Sequence, residues 1–175
     1  MLSLLRKRNP RLVRSISATT RPPRVGERNG KDYWFLSKDR FRDGIARGRF
    51  LEHARVLENW YGTPKAPIEK ALRAGQNVLL GIDIQGAWQV RQSGLPVTTV
   101  FLLPPSLKVL RQRLRRRGTE TDRQIRDRLR LARRELREVG RYDYAVVNDR
   151  LQEAIAAAEA IIQAERFRVE TARGR

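Results

Sequence analysis

The chain has 175 residues and no cysteine, which excludes disulfide bonds, thiolate metal sites and cysteine nucleophiles and fits a cytoplasmic protein. Its longest apolar runs are too short to span a bilayer, so neither a membrane anchor nor a membrane partner is expected. The formal net charge of +19 favours anionic partners, but charge alone does not distinguish an enzyme acting on nucleotides from a nucleic-acid binder.

Apolar runs alternate with longer amphipathic stretches along the chain, which is typical of a parallel β-sheet with crossover helices. Buried strands are predicted over residues 12–17, 77–83, 97–103 and 144–148. Helices are predicted from Pro64 to a stop at Gly75 and over residues 106–116, 121–137 and 151–167. The sequence therefore predicts a single domain of the α/β class.

The pattern changes between Arg21 and Pro64, where short β-like pieces replace the longer apolar runs. Strands are predicted over residues 32–36 and 50–57, and Ser37 is placed to cap a small helix between them. This pattern of short strands around a small helix indicates a subdomain inserted into the α/β fold.

Residues 15–33, which read SISATTRPPRVGERNGKDY, concentrate groups that bind phosphate. Ser17 and Tyr33 supply hydroxyl groups that can donate to phosphate oxygens. Arg21 and Arg24 supply guanidinium groups, which form bidentate, charge-assisted hydrogen bonds with phosphate. The Pro-Pro pair between the two arginines presets much of the backbone, so they form a fixed pair. These residues predict a site for a dianionic phosphate.

The order of motifs along the chain resembles that of bacterial guanylate kinases over about residues 1–168. The motifs are SISATTRPPR with the following GERNGKDY, FLEHA, NWYGT, GIDIQGA, LPPS, RGTET with the downstream IRDRL, and VVND. The resemblance implies a nucleoside monophosphate kinase that transfers the terminal phosphoryl group of ATP to GMP, giving ADP and GDP, with Mg²⁺. GMP and ATP are thus the expected partners, and purine nucleotide metabolism is the expected setting.

The resemblance also implies an architecture, namely a P-loop kinase-like parallel sheet with flanking helices. The core is expected over about residues 1–20, 64–110 and 138–170. A GMP-binding insertion is expected over about residues 21–63, and a helical lid over about residues 111–137.

By the same resemblance, the GMP phosphate is bound by Ser17, Arg21, Arg24, Tyr33 and Tyr61. The chemistry of these side chains favours the same role, because all of them can donate hydrogen bonds to phosphate oxygens.

Guanine recognition is assigned to Glu52, Thr63 and Asp83 by the resemblance. One carboxylate can accept from the adjacent N1–H and N2–H donors of guanine, and a threonine hydroxyl can donate to O6. Adenine presents the opposite pattern, so Glu52 is expected to select the base. His53, the only histidine, follows Glu52 on the same predicted strand and is expected to point to the opposite face in a structural role.

Arg117 and Arg128 match arginines on a mobile lid that closes over the phosphates. Phosphoryl transfer requires positive charge around the equatorial oxygens, and arginine supplies it. Asn148, with Asp149, matches the segment near the adenine of ATP. No residue is assigned as a metal ligand.

Two features depart from the family's pattern. Gly81-Ile82-Asp83 stands where the family has Asp-Ile-Asp, which removes one carboxylate near the phosphates and magnesium. Residues 1–5 align just past the family's phosphate loop, and the motif Gly-x-x-x-x-Gly-Lys-Ser/Thr does not occur in the 175 residues.

Three hypotheses follow from these features. The favoured one is a guanylate kinase whose true start lies upstream of Met1. The second is a loop-less, non-catalytic guanylate kinase-like module that binds GMP or an acidic phosphopeptide. The third is a nucleic-acid binder, which is disfavoured because no stacking aromatic residues are arranged along a basic groove. Nucleic acid is therefore not expected as a specific partner, and the sequence does not determine the oligomeric state.

Overall fold

The structure is a computed structural model that describes residues 1–168 of the chain. None of the helices in this part of the chain is both long and apolar enough to cross a bilayer. The elements, in order, are α1 (Leu2–Arg8), β1 (Leu12–Arg14), β2 (Ala18–Thr19), β3 (Trp34–Phe35), α2 (Lys38–Ala46), β4 (Phe50–Val56), β5 (Asn59–Pro64), α3 (Lys65–Arg73), β6 (Asn77–Leu79), α4 (Ile84–Gln92), β7 (Val100–Leu103), α5 (Leu107–Arg117), α6 (Asp122–Glu135), a 3₁₀ helix (Leu136–Arg141), β8 (Tyr144–Val147) and α7 (Leu151–Glu165).

Two compact units make up the chain. The first unit contains Leu2 and residues 6–97, and the second contains residues 1, 3–5 and 98–168 of the described chain. The boundaries that the sequence predicts for core, insertion and lid stay a prediction.

The first unit holds two sheets. Strands β1 and β6 form a parallel pair with Leu12 opposite Asn77. The other sheet has the strand order β3-β2-β5-β4, in which β2 and β3 are parallel and β5 is antiparallel to both of its neighbours. A two-residue turn joins β4 to β5, and its first residue, Leu57, has a φ of 55°, the left-handed conformation that tight hairpin turns use.

Helix α2 packs on the four-stranded sheet through Phe41. This side chain is fully buried, and its ring stacks on Phe50 with 4.5 Å between the centroids. Ser37 Oγ accepts a hydrogen bond from the Arg40 N–H at 3.3 Å, which confirms the predicted helix cap. The cap and the aromatic stack hold α2 on the sheet that carries the candidate site.

The second unit is built on the parallel pair of β7 and β8, with Val100 opposite Tyr144. Helix α7 packs against β8, and its Ile155 is fully buried. Helices α5 and α6 form a hairpin: α5 ends at Gly118 with a φ of 67°, and α6 begins with a capping box between Thr121 and Gln124.

All four strands predicted for the α/β core are strands in the structure, but each is shorter than predicted. They form two parallel pairs, β1 with β6 and β7 with β8, where the sequence predicts a parallel sheet. Ser17 and Asp83, at the ends of two predicted strands, lie outside β1 and β6. Ser17 directly precedes β2, and Asp83 caps α4.

Sequence reasoning misses β5 and α4, because neither has a clear hydrophobic pattern. The buried positions of β5 are Gly62 and Thr63, so the strand shows no apolar run. Helix α4 contains Gly86, a poor helix former, near its first turn. Strand β5 is stabilised by pairing with β4, and helix α4 is stabilised by the Asp83 cap, so neither depends on its own hydrophobic pattern.

Candidate functional site

Glu27 anchors Arg21 in the segment that follows β2. Arg21 Nη2 donates to both carboxylate oxygens of Glu27 at 2.9 Å, and Nη1 donates to the Pro22 carbonyl oxygen at 2.6 Å. The Arg21 and Glu27 side chains are only 12% and 19% exposed. Charge-assisted hydrogen bonds of this geometry fix the direction of the guanidinium group. Arg21 is therefore presented in one orientation.

Each charge in this pair stabilises the other. Burial would lower the pKa of Arg21, but the hydrogen bonds to Glu27 and Tyr61 outweigh burial and raise it. Burial would raise the pKa of Glu27, but hydrogen bonds from the Arg24 backbone N–H and the Arg21 side chain outweigh burial and lower it. Both groups are consequently ionised at neutral pH.

Two tyrosines lie beside Arg21. The guanidinium carbon is 5.5 Å from the Tyr33 ring centroid, and the Tyr33 and Tyr61 rings meet edge to face at 6.2 Å. Tyr61 lies on β5 opposite Thr19 of β2. Thr19 is fully buried, and its Oγ1 donates to the Trp60 carbonyl oxygen at 2.9 Å and accepts from the Arg21 N–H at 3.2 Å. The structure thus brings Arg21, Tyr33 and Tyr61 together.

Ser17 and Arg24 lie on either side of Arg21 along the chain. The Ser17 carbonyl oxygen accepts a hydrogen bond from the Trp34 N–H at 2.9 Å, and the Arg24 N–H donates to Glu27 Oε2 at 2.7 Å. Glu27 therefore holds the backbone at Arg24 as well as the Arg21 side chain. Sequence reasoning overlooks Glu27, although it stands inside the GERNGKDY motif, because the motif alone gives it no role.

Glu52 and Thr63 form a buried polar pair on the β4–β5 hairpin. They lie opposite each other in the register, and Thr63 Oγ1 donates to Glu52 Oε1 at 2.6 Å. Glu52 is 3% exposed and Thr63 is fully buried. Burial and the charge of Asp83 raise the pKa of Glu52 to about 7, against the opposing effect of the Thr63 hydrogen bond. This carboxyl group therefore changes its protonation state near neutral pH.

Helix α4 leaves room for the Glu52 carboxylate because it carries a glycine there. A Cβ atom on Gly86 would lie 2.5 Å from Glu52 Oε2 and 3.3 Å from Asp83 Oδ1. The Gly86 N–H donates to Asp83 Oδ1 at 2.9 Å, which caps the helix. Sequence reasoning names Asp83 but misses Gly86, for which the GIDIQGA motif is the only local signal.

One face of the β4–β5 hairpin carries both groups of side chains. Tyr61 and Thr63 are two residues apart on β5, so their side chains leave the same face as that of Glu52, which pairs with Thr63. His53 leaves the opposite face, as predicted, and its ring lies 6.0 Å from that of Trp60. The hairpin therefore links the Arg21 group to the Glu52 group within the first unit.

The two predicted lid arginines belong to the second unit. Arg117 is the last residue of α5 and is exposed. Arg128 lies on α6, and its Nε is 3.6 Å from Oε1 of Glu120, whose side chain is 3% exposed. That nitrogen is itself buried and makes no hydrogen bond within the described residues.

Arg113 connects α5 to the segment after β8 within the second unit. Its Nη1 donates to the Asn148 carbonyl oxygen at 2.6 Å, and its Nη2 donates to that of Asp149 at 2.9 Å. The Asn148 N–H donates to the Leu103 carbonyl oxygen at 2.7 Å. These bonds hold the segment that the resemblance assigns to adenine. The sequence does not single out Arg113, because it stands among many other arginines.

Within residues 1–168, no three His, Asp or Glu side chains are grouped so that they could bind a metal ion. Gly81, where the family has aspartate, faces Leu2: a Cβ atom on Gly81 would lie 2.7 Å from Leu2 Cδ1. Magnesium in nucleotide sites is held largely by phosphate oxygens and water.

Comparisons with known proteins agree with this architecture. The guanylate kinase family model matches residues 2–165. A guanylate kinase of Clostridium perfringens strain 13 is 49% identical over 156 residues, which are 89% of this chain and 72% of that protein. A guanylate kinase of Carboxydothermus hydrogenoformans is 46% identical over 164 residues, which are 94% of this chain and 80% of that protein.

The crystal structure of guanylate kinase from Anaplasma phagocytophilum matches with a TM-score of 0.81 at 32% identity, covering 95% of this chain and 83% of that one. The fold and these matches define an α/β nucleotide kinase. Within that class, the chain belongs to the guanylate kinase family. The activity of the family is phosphoryl transfer from ATP to GMP, which yields ADP and GDP.

Proposed function

We propose that the first unit binds GMP and that the chain phosphorylates it. The main support for this proposal is the buried Glu52–Thr63 pair. This pair lies on the same face of the β4–β5 hairpin as Tyr61, and Tyr61 lies beside Arg21. The guanine base contacts Glu52, Thr63 and Asp83. The phosphate contacts Ser17, Arg21, Arg24, Tyr33 and Tyr61.

Glu52 selects guanine through its carboxylate oxygens. In the ionised state they accept from N1–H and N2–H of guanine, and Thr63 keeps Oε1 oriented by its 2.6 Å hydrogen bond. Asp83 is already the cap of α4, so its carboxylate is fixed by the Gly86 N–H while it faces the base. Adenine offers no pair of donors at this edge, so the carboxylate would lose hydrogen bonds on binding it.

Arg21 and Arg24 neutralise the charge of the phosphate. Glu27 holds the Arg21 guanidinium group in a fixed orientation. The GMP phosphate is itself the nucleophile, so the reaction requires alignment with the donor rather than a protein base. Arg117 and Arg128 contribute positive charge to the transferred phosphoryl group. Asn148 contributes to the binding of ATP, which enters with Mg²⁺.

A coupled assay of ADP release, run with GMP or AMP as acceptor and with ATP and Mg²⁺, tests base selection. Glu52→Gln replaces an acceptor oxygen with a donor and should lower kcat/KM for GMP about 100-fold or more, since two hydrogen bonds to a charged group are affected. The matched control is Glu58→Gln, because Glu58 is an exposed residue in the turn of the same hairpin. Equal activity of the two variants would contradict the proposal.

Calorimetry with GMP separates binding from turnover. Arg24→Ala should weaken GMP binding, whereas Arg128→Ala should leave it within about twofold and lower kcat, since charge on the transferred group matters only during transfer. Arg134→Ala, at an exposed position of α6, is the control for Arg128. Tight GMP binding by a chain without ADP release would favour the non-catalytic hypothesis.

A further inference from the structure

Helices α5 and α6 enclose a groove within the second unit that none of the proposed GMP or ATP residues lines. Ile125, which is 4% exposed, and Leu129 form its apolar lining. Its polar lining is formed by Arg111, Arg115, Arg126, Arg130 and Arg133, with Asp122 as the single acidic residue.

The charge of this groove is largely uncompensated. Arg115 lies 3.8 Å from Asp122, and Arg130 lies 3.3 Å from Asp127. Arg111, Arg126 and Arg133 are exposed and form no side-chain ion pair with another described residue. Over residues 107–135 the chain has twelve basic and four acidic residues, so the surroundings add to the positive potential.

The arginines of α6 form a row along the groove. Arg126, Arg130 and Arg133 follow one another at spacings of four and three residues, which places them on one face of the helix. At 1.5 Å per residue the row is about 10.5 Å long. Duplex nucleic acid presents one phosphate charge per 1.7 Å of axis, or about six charges over that length. Arg111 and Arg115 of α5 line the same groove.

Residues 107–135 include no Phe, Tyr, Trp or His. Single-stranded nucleic acid is usually bound by stacking its bases on aromatic side chains, and this groove has none. Arginine forks instead suit the phosphate oxygens of a backbone, which carry no sequence information. These features favour a duplex backbone over a single strand and over base recognition.

We propose that the α5–α6 groove binds the phosphate backbone of double-stranded nucleic acid without reading its sequence. The partner is distinct from the nucleotides of the kinase reaction. The sequence disfavours a nucleic-acid binder because no stacking aromatic residues line a basic groove, but binding to the backbone of a duplex does not require base stacking.

Fluorescence anisotropy of a labelled 16-base-pair duplex, titrated with the full chain, tests the proposal. With five phosphate contacts, the association constant should fall about 500-fold between 50 and 200 mM KCl, since the logarithmic slope is about −0.9 per contact. In the triple variant Arg111→Gln, Arg126→Gln, Arg133→Gln, two contacts remain and the fall should be about 12-fold.

The matched control removes three arginines from the first unit: Arg40→Gln, Arg55→Gln and Arg73→Gln. These residues are also exposed and form no side-chain ion pair with another described residue, and the net charge changes equally. Thermal unfolding of both variants checks that they fold. If the control triple weakens duplex binding as much as the groove triple, the overall charge field is responsible and the proposal is wrong.

Titrations with other nucleic acids and with polyglutamate identify the class of ligand. A 16-nucleotide single strand should bind more weakly than the duplex, and duplexes of different sequence should bind alike. If polyglutamate binds more tightly than the duplex and the groove triple weakens polyglutamate more, the groove is a site for acidic polypeptides and the proposal is wrong. Calorimetry with GMP on the same samples reports on the kinase site, so failure of either proposal is recognised separately.

Discussion

Arg21 Nη2 lies 2.9 Å from both carboxylate oxygens of Glu27, and the Arg24 backbone N–H donates to the same carboxylate at 2.7 Å. One acidic side chain therefore organises the segment that carries both arginines of the proposed phosphate site. In the proposed site we expect Glu27 to be a positioning residue, because its carboxylate holds Arg21 and the backbone of Arg24.

Glu27→Gln should weaken GMP binding about fivefold, because the amide cannot hold the guanidinium group as a carboxylate does and Arg21 regains rotamer freedom. Calorimetry with GMP and with guanosine measures the effect. Guanosine, which lacks the phosphate, should bind equally to both proteins. Asp39→Asn, at an exposed position of α2, is the control. Tighter GMP binding by Glu27→Gln would mean that Glu27 opposes the phosphate instead of positioning its partner.

Glu52 should give the free energy of unfolding a specific pH dependence. Its pKa is raised from 4.5 to about 7 in the folded chain. Between these values the folded chain binds a proton that the unfolded chain releases, so the stability contributed by the protonated carboxyl falls as pH rises. The change amounts to about 3 kcal/mol over the whole window.

Denaturant titrations of the parent and of Glu52→Gln at pH 4.5 and pH 8 measure this effect. Glu52→Gln has no titrating group at position 52. The unfolding free energy of the variant minus that of the parent should therefore increase by about 3 kcal/mol from pH 4.5 to pH 8. Glu58→Gln, which removes an exposed carboxyl group from the turn of the same hairpin, is measured alongside as the control. A constant difference between parent and Glu52→Gln would show that the carboxyl group does not titrate in this range.

Gly86→Ala should place a Cβ atom 2.5 Å from Glu52 Oε2 and so displace the carboxylate. Alanine is about 1 kcal/mol better than glycine in a helix, which offsets part of the cost in stability. We therefore expect a small change in the unfolding free energy and a clear loss of GMP affinity, of about tenfold or more. Gly140→Ala, whose Cβ would meet no atom within 4 Å beyond its chain neighbours and its own helix, should leave the GMP affinity unchanged. Unchanged GMP affinity in Gly86→Ala would argue against contact between Glu52 and the base.

Thr121→Ala should destabilise the start of α6 by about 1 kcal/mol, because it removes the hydroxyl that accepts from the Gln124 N–H at 3.3 Å. Hydrogen exchange of the α6 amides is the appropriate measurement, since it reports on this helix alone. Thr121→Ser retains the hydroxyl and should keep most of the protection. If the α6 amides were protected equally in Thr121→Ala and in the parent chain, the capping box would not stabilise the helix.

The local pattern of the sequence predicted the parts of the fold whose stability is local or amphipathic. The strands around Val78 and Phe101, the Ser37 cap and the helix beginning at Thr121 all follow from apolar runs and capping residues. Strand β5 could not be predicted in this way, because its Gly62 and Thr63 are buried by pairing with β4 and not by their own hydrophobicity.

The sequence by itself determined the family. It also predicted the residue types of the proposed GMP site and a division of roles between phosphate and base, and that division stays a prediction. Only the tertiary structure decided how those residues are held: Arg21 by Glu27, Glu52 by Thr63 and the space at Gly86, and the Asn148 segment by Arg113. Glu52 and Gly86, for example, are 34 positions apart and meet only when α4 packs beside β4. Motifs record the chemistry of single positions, whereas orientation, burial and a pKa depend on neighbours that folding brings together.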